Sequence, residues 1–553
     1  MNNATEKYLE WCSKVKDERL KAQLNAMKDD PVAIENAFYK DLKFGTAGMR
    51  GEIGAGTNCL NLITIAKVTK GIADFMRDHG LKKASVSCDS RINSDLFKEK
   101  VAGVFAANGI KCYVTRTLMP TPFLSFLTRE TKSDIGVMIT ASHNPAKYNG
   151  YKVYGSDGCQ LTDEPAEQMI GYIEKIDPFE VQSEPFEAYL KSGLIEYASE
   201  DITEAYLKKV GERAIGRAEG LKVAFSPLNG TGYILVPEIL KRAGVERVDI
   251  VKEQAMPDGN FTTCSYPNPE KPEALKLGLE LAKKCGSDIL IATDPDADRV
   301  GTAVRHNGEY KLMTGNEIGV LLTDYVLSRR KENGTLPDNP VVVTTIVSTS
   351  LAEKVARGYG AELIKVLTGF KYIGGVIAKL EAKGEAERFV LGFEESYGYL
   401  SGSYVRDKDA VVASMLIAEM TAYYLSSGKT LVDRLGEIYA KYGTYEHKLK
   451  TYEYPGAEGS AKMDALLSGL RDNLPKKLGD SEVVASIDYL TQTEFDLPKA
   501  NVLSFTAKNG SSLIVRPSGT EPLIKLYVTA ASNPEENKKV FEKIFAQLEK
   551  IFA

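Results

Sequence analysis

Along this chain, apolar runs with the look of fully buried strands break off abruptly into short polar loops, and the arrangement recurs with helical patterns in between. SDIGVMIT (133–140) runs into ASHNPAKYNG, SDILIAT (287–293) runs into DPDADR, and RFVLGFEES (388–396) carries its own acidic end. Continuous apolar runs bounded by turn residues suit strands covered on both faces, and strands alternating with helices build parallel α/β sheets. The chain is therefore confined to α/β units, with candidate site loops at strand ends.

The flanking segments extend this grammar. Ile65, Val68, Ile72, Phe75 and Met76 recur at helical spacing over residues 61–79, residues 83–88 read as a strand before a CDSR turn, Ser94 is placed to cap a helix through Ala107, and GIKCYVTR is strand-like. A second round has strand, Gly-rich turn and helix in LKVAFSPLNGTGYILVPEILKRAG, then a helix at 275–284 before SDILIAT. A third has NPVVVTTIVST, a helix at 350–358, the strand AELIKV, the TGFKYIG segment and a further helix. Three similar rounds suggest repeated units. After Tyr442 the pattern changes to EHKLKTYEYPG, a helical stretch, and two strands around a turn in SSLIVRPSGTEPLIKLYVTA. A last helix follows Asn533 and Pro534, with Val540, Phe541, Ile544, Phe545 and Leu548 as a core-facing stripe. The expected fold class is α/β, with three related α/β domains at 1–205, 206–315 and 316–442 and a smaller α+β domain at 443–553.

Composition narrows the function classes. A length of 553 residues suits three or four domains, and 43% hydrophobic with 26% charged residues is ordinary for a globular protein. Seventy Lys and Arg against 75 Asp and Glu, without a long block of either sign, give little basis for bulk attraction to nucleic acid or anionic membrane. The seven Cys are scattered singly, which reads as reduced thiols and argues against structural zinc. No apolar signal core opens the chain and no run of 18 apolar residues occurs, so a cytoplasmic location is expected.

Asp294, Asp296 and Asp298 of DPDADR form the sharpest local signal. In an extended loop alternate residues point the same way, so three carboxylates would converge and repel unless a cation neutralises them. All-oxygen ligation favours Mg2+. An EF-hand does not fit, because Arg299 stands at its sixth position and Arg305 at its twelfth. A solvated acidic turn is the plain alternative.

TASHNP (140–145) places Ser142 beside His143 on a strand-end loop. Ser142 is a candidate covalent phosphate carrier, with Arg50, Lys152 and Arg299 as candidate stabilisers of transferring charge. His143 would assist proton transfer or simply hold the loop. RPSGTEP (516–522) combines an Arg, two hydroxyls and Gly as an anion cradle, or forms a hairpin turn. In GFEESYG (392–398), Glu394 and Ser396 are placed to bond sugar hydroxyls.

In order, FGTAGMRG (44–51), TASHNP, DPDADR, GFEESYG and RPSGTEP resemble the α-D-phosphohexomutase family over residues 44–528. FGTAGMRG, GFEESYGYL, PDGNF and PNPEKPEAL look closest to its branch of bacterial phosphoglucomutases and related phosphopentomutases. The resemblance implies four domains around a central cleft, each contributing one loop. It implies that Ser142 is the phosphoserine, that Asp294, Asp296 and Asp298 bind Mg2+ with a Ser142 phosphate oxygen, and that Arg50 faces the transferred group. It further implies that Glu394, Ser396, Thr368 and Gly369 meet the sugar, and that Arg516, Ser518, Gly519 and Thr520 hold the nonreacting phosphate. Lys371 resembles the family lysine proposed for acid/base help; an exposed helix-entry lysine is its structural reading. Pro295 and Ala297 depart from the commoner DGDGDR loop, and Pro295 stiffens it.

The resemblance implies interconversion of α-D-glucose 1-phosphate and glucose 6-phosphate, with glucose 1,6-bisphosphate as primer and intermediate; small-molecule sugar phosphates are the expected partners, with no nucleic acid and no membrane. Phosphomannomutase and phosphopentomutase are alternatives within the family. An aspartyl-phosphate phosphatase with Asp294 as nucleophile, and a noncatalytic sugar-phosphate sensor, are alternatives outside it. Oligomeric state is not legible.

Overall fold

The computed structural model describes residues 3–45, 48–454, 456–493, 495–518 and 523–552. Its four sheets follow the grammar of the sequence. In the first, the strands Ile135–Ile139, Lys83–Cys88, Lys111–Val114 and Ile195–Tyr197 are parallel, while Tyr148–Gly155 and Met49–Glu52 run antiparallel along one edge. In the second, Ile289–Thr293, Lys222–Ser226 and Arg247–Ile250 are parallel and Val300–His306 returns antiparallel beside Ile289–Thr293. The third has parallel Glu362–Val366, Val341–Thr345 and Phe389–Glu394, with Gly398–Leu400 returning antiparallel.

One construction thus appears three times. A parallel strand buried along its whole length ends in a motif loop, and the chain doubles back on its far side as an antiparallel strand. Each loop is held at both ends by sheet hydrogen bonds. Such loops lie outside the carboxyl ends of parallel strands, where α/β sheets place their ligands.

The fourth sheet is antiparallel, in the order Glu446–Glu453, Leu523–Ala530, Ser512–Pro517, Leu503–Ala507, Ser481–Asp488, Lys477–Leu478. The Pro534–Phe552 helix closes its core with Phe541, Ile544, Leu548 and Phe552 buried, while Val540 and Phe545 pack at the margin. This unit has its own core and meets the third across a small apolar seam that includes Val347, Leu367, Tyr489 and Ile514. The first three units share apolar packing instead: Phe123 and Leu127 of the first join one cluster with Phe225 of the second and Phe393 of the third.

One local expectation needs correction. Ser94 does not cap its helix; Asn93 holds that position with φ of 63°, and the Ser94 hydroxyl donates to Asp89 at 3.0 Å. The chain also opens with three helices, Asn3–Lys14, Glu18–Ala26 and Pro31–Phe38, that pack around Trp11 and Phe38. Asp17 and Asp30 cap the second and third through their side chains, and these caps were the available sequence signal. Among the described residues, no single helix is long and apolar enough to cross a membrane.

Candidate active site

The DPDADR loop is a turn, not the extended segment expected. Ala297 N–H donates to the Asp294 carbonyl at 2.9 Å, and Ala297 sits in the left-handed region at φ 48°, where a side chain is strained and Gly is not. Asp294 Oδ1 accepts from the main-chain N–H of both Asp298 and Arg299 at 3.0 Å, closing the turn. Convergence of the carboxylates therefore comes from the tight turn rather than from strand alternation. Asp294, Asp296 and Asp298 are all buried, and one oxygen from each lies within 4.8 Å of the others.

Ser142 joins them from the first unit. Its hydroxyl donates to Asp294 Oδ2 at 3.0 Å and lies 3.1 Å from His143 Nδ1. Ser142 has φ of 52°, a conformation a non-glycine residue holds only when its surroundings impose it. The imposing groups are visible. Arg91, with no exposed side-chain surface, donates to the carbonyls of Ser142, Asn144, Pro145 and Tyr148 within 3.1 Å, and its Nε lies 3.3 Å from Asp89. Asp89 also accepts from the Thr140 hydroxyl, which in turn accepts the Ser142 N–H at 2.8 Å. Arg91 and Asp89 belong to CDSR, read from sequence only as a turn.

The acidic trio is balanced from two other units. Lys152 Nζ lies 2.9 Å from Asp296 and 3.7 Å from Asp298, and Lys408 Nζ lies 3.1 Å from Asp298 and 3.0 Å from Asp407. Burial would raise Asp296, yet the Lys152 ammonium and the donors around it hold it well below the usual carboxylate range. Burial and the neighbouring carboxylates push Asp294 and Asp298 up. Lys408 escaped the sequence reading; RDKD ahead of an apolar run was its faint signal.

The residues fit a hard divalent cation. Oδ1 of Asp296 and Oδ1 of Asp298 are buried and lack a hydrogen-bond partner among the described residues, so two oxygens of an all-oxygen donor set are left unsatisfied. Repulsion within the trio is the force that such an ion removes.

The remaining candidates are distributed around this centre. Arg50, on the Met49–Glu52 strand, reaches the same loop through Asn144 Oδ1 at 3.3 Å. Arg299 is held by Glu270 at 2.5 Å and lies 3.8 Å from Asp298. His143 is driven well below its ordinary value by burial and by the charges of Arg299 and Arg50. Glu394 is buried and accepts the Gly369 N–H at 2.9 Å; burial raises it, opposed by Lys408 and Arg299. Ser396 is half-buried at the following turn, and the Thr368 hydroxyl is buried without a hydrogen-bond partner among the described residues. Lys371 is paired with Asp163 of the first unit at 2.7 Å. Arg516, half-buried at the end of Ser512–Pro517, acts on Tyr527 and on Tyr372 of the third unit. Ser518 N–H donates to Leu523. Gly519 and Thr520 lie outside the described residues.

Comparison with known proteins accounts for this geometry. The family patterns described as phosphoglucomutase/phosphomannomutase α/β/α domains I, II and III match residues 41–180, 204–308 and 314–442, and the pattern for its C-terminal domain matches 471–547. The chain belongs to the phosphoglucomutase/phosphomannomutase family. Within this α-D-phosphohexomutase superfamily it lies close to the bacterial phosphoglucomutases. It is 36% identical to the Staphylococcus haemolyticus phosphoglucomutase over 93% of this chain and 95% of the relative. It is 37% identical to that of Staphylococcus epidermidis over 88% and 90%. Solved structures share the fold: a phosphoglucomutase/phosphomannomutase family protein of Burkholderia thailandensis has TM-score 0.69 at 19% identity, covering 92% of this chain and 97% of that one. The open form of parafusin from Paramecium has TM-score 0.69 at 19% identity, covering 93% and 95%. As a phosphohexomutase, the chain carries out intramolecular phosphoryl transfer on a sugar phosphate.

Proposed function

We propose that this phosphohexomutase interconverts α-D-glucose 1-phosphate and glucose 6-phosphate through a phosphorylated Ser142. The observation that carries the reading is the Ser142 hydroxyl 3.0 Å from Asp294, at the edge of a buried all-oxygen trio. The phosphoglucomutase relatives support glucose as the sugar.

In the forward direction, the bond from Ser142 Oγ to phosphorus breaks as the substrate's 6-hydroxyl oxygen takes the phosphoryl group, and the proton this hydroxyl gives up is returned to Oγ, restoring the Ser142 hydroxyl. Glucose 1,6-bisphosphate results. After it turns around, Ser142 Oγ recovers phosphate from C1, the C1 oxygen regains a proton, and glucose 6-phosphate leaves. Asp294, Asp296 and Asp298 would hold a Mg2+ ion, which would supply positive charge to offset that of the transferring phosphoryl group. Arg50 and Lys152 add fixed positive charge from the first domain. His143, its imidazole pKa driven well down by burial and within hydrogen-bond reach of Oγ, is placed to take the Oγ proton when Ser142 recovers phosphate, a role the geometry favours for it over Lys371, whose ammonium is committed to Asp163. Glu394 and Ser396 receive sugar hydroxyls, with Thr368 and Gly369 beside them. Arg516, Ser518, Gly519 and Thr520 hold the phosphate that is not reacting. An aspartyl phosphate on Asp294 has less support, because both of its oxygens already accept hydrogen bonds.

Intact mass and peptide mapping after incubation with glucose 1,6-bisphosphate test the reading. One phosphate on the peptide containing Ser142, and no turnover in Ser142→Ala, are expected. Phosphate on another residue, or loss of the label to hydroxylamine, would refute it. Relative turnover on glucose, mannose, ribose and deoxyribose 1-phosphates tests the sugar, and a large preference for a pentose would overturn glucose.

A further inference from the structure

The Thr121–Glu130 helix of the first domain presents Thr121, Ser125 and Arg129 at four-residue intervals, so the three lie in one row along its surface. Each member of the row binds across a boundary. Thr121 donates through its main-chain N–H to the Asp296 carbonyl and through Oγ1 to Asp296 Oδ2, both at 2.9 Å. Ser125 Oγ accepts the Arg406 N–H at 3.0 Å, and Arg129 pairs with Glu381 at 2.8 Å, both in the third domain. The helix is a strut between three domains, and its N-terminal residue ends on a candidate metal ligand.

The consequence for that ligand is specific. Asp296 Oδ2 takes two donors from the first domain, Thr121 Oγ1 and Lys152 Nζ, while Oδ1 is buried with no hydrogen-bond partner among the described residues. A carboxylate anchored at one oxygen by two donors on different elements cannot spin about its own axis. It offers a cation the other oxygen, in one direction. Lys152 alone leaves that rotation open, because a flexible four-carbon stem follows the oxygen it binds. Thr121 has no exposed surface, carries its hydroxyl on a stiff β-branched side chain, and is tied to the same residue a second time through the main chain.

We propose that Thr121 is a positioning residue that fixes Asp296 as a single-oxygen ligand, so that the first domain sets the metal geometry of a loop belonging to the second. The inference rests on the divalent-ion reading of the trio. Outer-shell partners of ligating carboxylates commonly govern affinity by about 10- to 100-fold, and that is the size of effect expected.

The test is Mn2+ binding by electron paramagnetic resonance to the full chain, with variants matched for Ser142 phosphate by intact mass. Thr121→Val keeps the shape and removes the hydroxyl. It should weaken Mn2+ about 10- to 100-fold, with Thr121→Ser and Ser125→Ala staying within about threefold of the parent protein. The Mg2+ concentration for half-maximal turnover should rise by the same factor, with kcat recovered at saturating Mg2+. Unchanged Mn2+ affinity in Thr121→Val overturns the inference and leaves the ion reading standing. An equal loss in Ser125→Ala overturns it too, by showing general loosening of the strut. Absence of stoichiometric Mn2+ binding in the parent protein defeats the ion reading itself. Should Thr121→Val not fold, Thr121→Ala is judged by the same affinities.

Discussion

The guanidinium of Arg91, sealed from solvent, donates to the main-chain carbonyl of Ser142. Three further carbonyls of the same loop share it, and Ser142, which they surround, stands in a left-handed conformation that costs roughly 1–2 kcal/mol. Lysine keeps the charge but not the planar fork of donors. Arg91→Lys should therefore lower kcat about 100-fold through misplacement of Oγ while KM for glucose 1-phosphate changes little. Steady-state kinetics beside a thermal melt check it; wild-type kcat in a folded variant would show that the clamp is dispensable.

His143 and Lys371 separate by their surroundings. His143 lies 3.1 Å from Oγ and is held neutral, whereas Lys371 is salt-bridged to Asp163. His143→Gln should cut kcat by about 10²–10⁴, the usual worth of a positioned proton acceptor, and Lys371→Met by clearly less. Side-by-side turnover at saturating substrate decides the order, and the reverse ranking transfers the role to Lys371.

Asp296→Asn removes one ionised ligand but keeps an oxygen that Thr121 and Lys152 can bind. The Mg2+ concentration for half-maximal turnover should rise at least about 10-fold, and a chelator should abolish turnover in parent and variant alike. An Mg2+ titration of rate shows it, and an unchanged midpoint would remove Asp296 from the ligand set.

Far from this chemistry, Glu419 is buried in the Ala410–Ser426 helix, where Oε2 accepts the Ile215 and Gly216 N–H groups and Oε1 has no hydrogen-bond partner among the described residues. Burial pushes its carboxyl up to about 7, opposed by the two N–H groups. Because the folded state keeps the proton that the unfolded chain releases near its ordinary value, this group's contribution falls as pH rises from about 4.5 to about 7 and is flat above. Glu419→Gln preserves the acceptor and cannot ionise. It should raise stability at pH 8 by on the order of 2–3 kcal/mol and leave pH 4 little changed. Denaturant melts at the two pH values measure the difference, and equal shifts at both would contradict it.

Much of the architecture was legible because buried parallel strands announce themselves as unbroken apolar runs; the loops TASHNP and DPDADR follow directly from Ile135–Ile139 and Ile289–Thr293, and GFEESYG begins in the last residues of Phe389–Glu394. The trio's identity was legible for the same reason. Its geometry was not: Ala297 breaks the expected extension by adopting positive φ, which periodicity does not report. Thr121 meets Asp296 across 175 residues of sequence, a contact set by domain packing and invisible to local pattern. Lys408 and Arg91 were overlooked because a lone cation beside turn residues has the appearance of surface, and only burial reveals otherwise.

The balancing ammonium groups carry a consequence for biosynthesis. Domain II leaves the ribosome with three carboxylates on one tight turn and no cation of its own lying against them except Arg299, already claimed by Glu270. Lys152 has been translated by then, but Lys408 has not. Charge balance of the trio is accordingly a late event in the life of the nascent polypeptide, reached only after the third domain emerges, and fragments ending before it inherit the motif without its electrostatic complement.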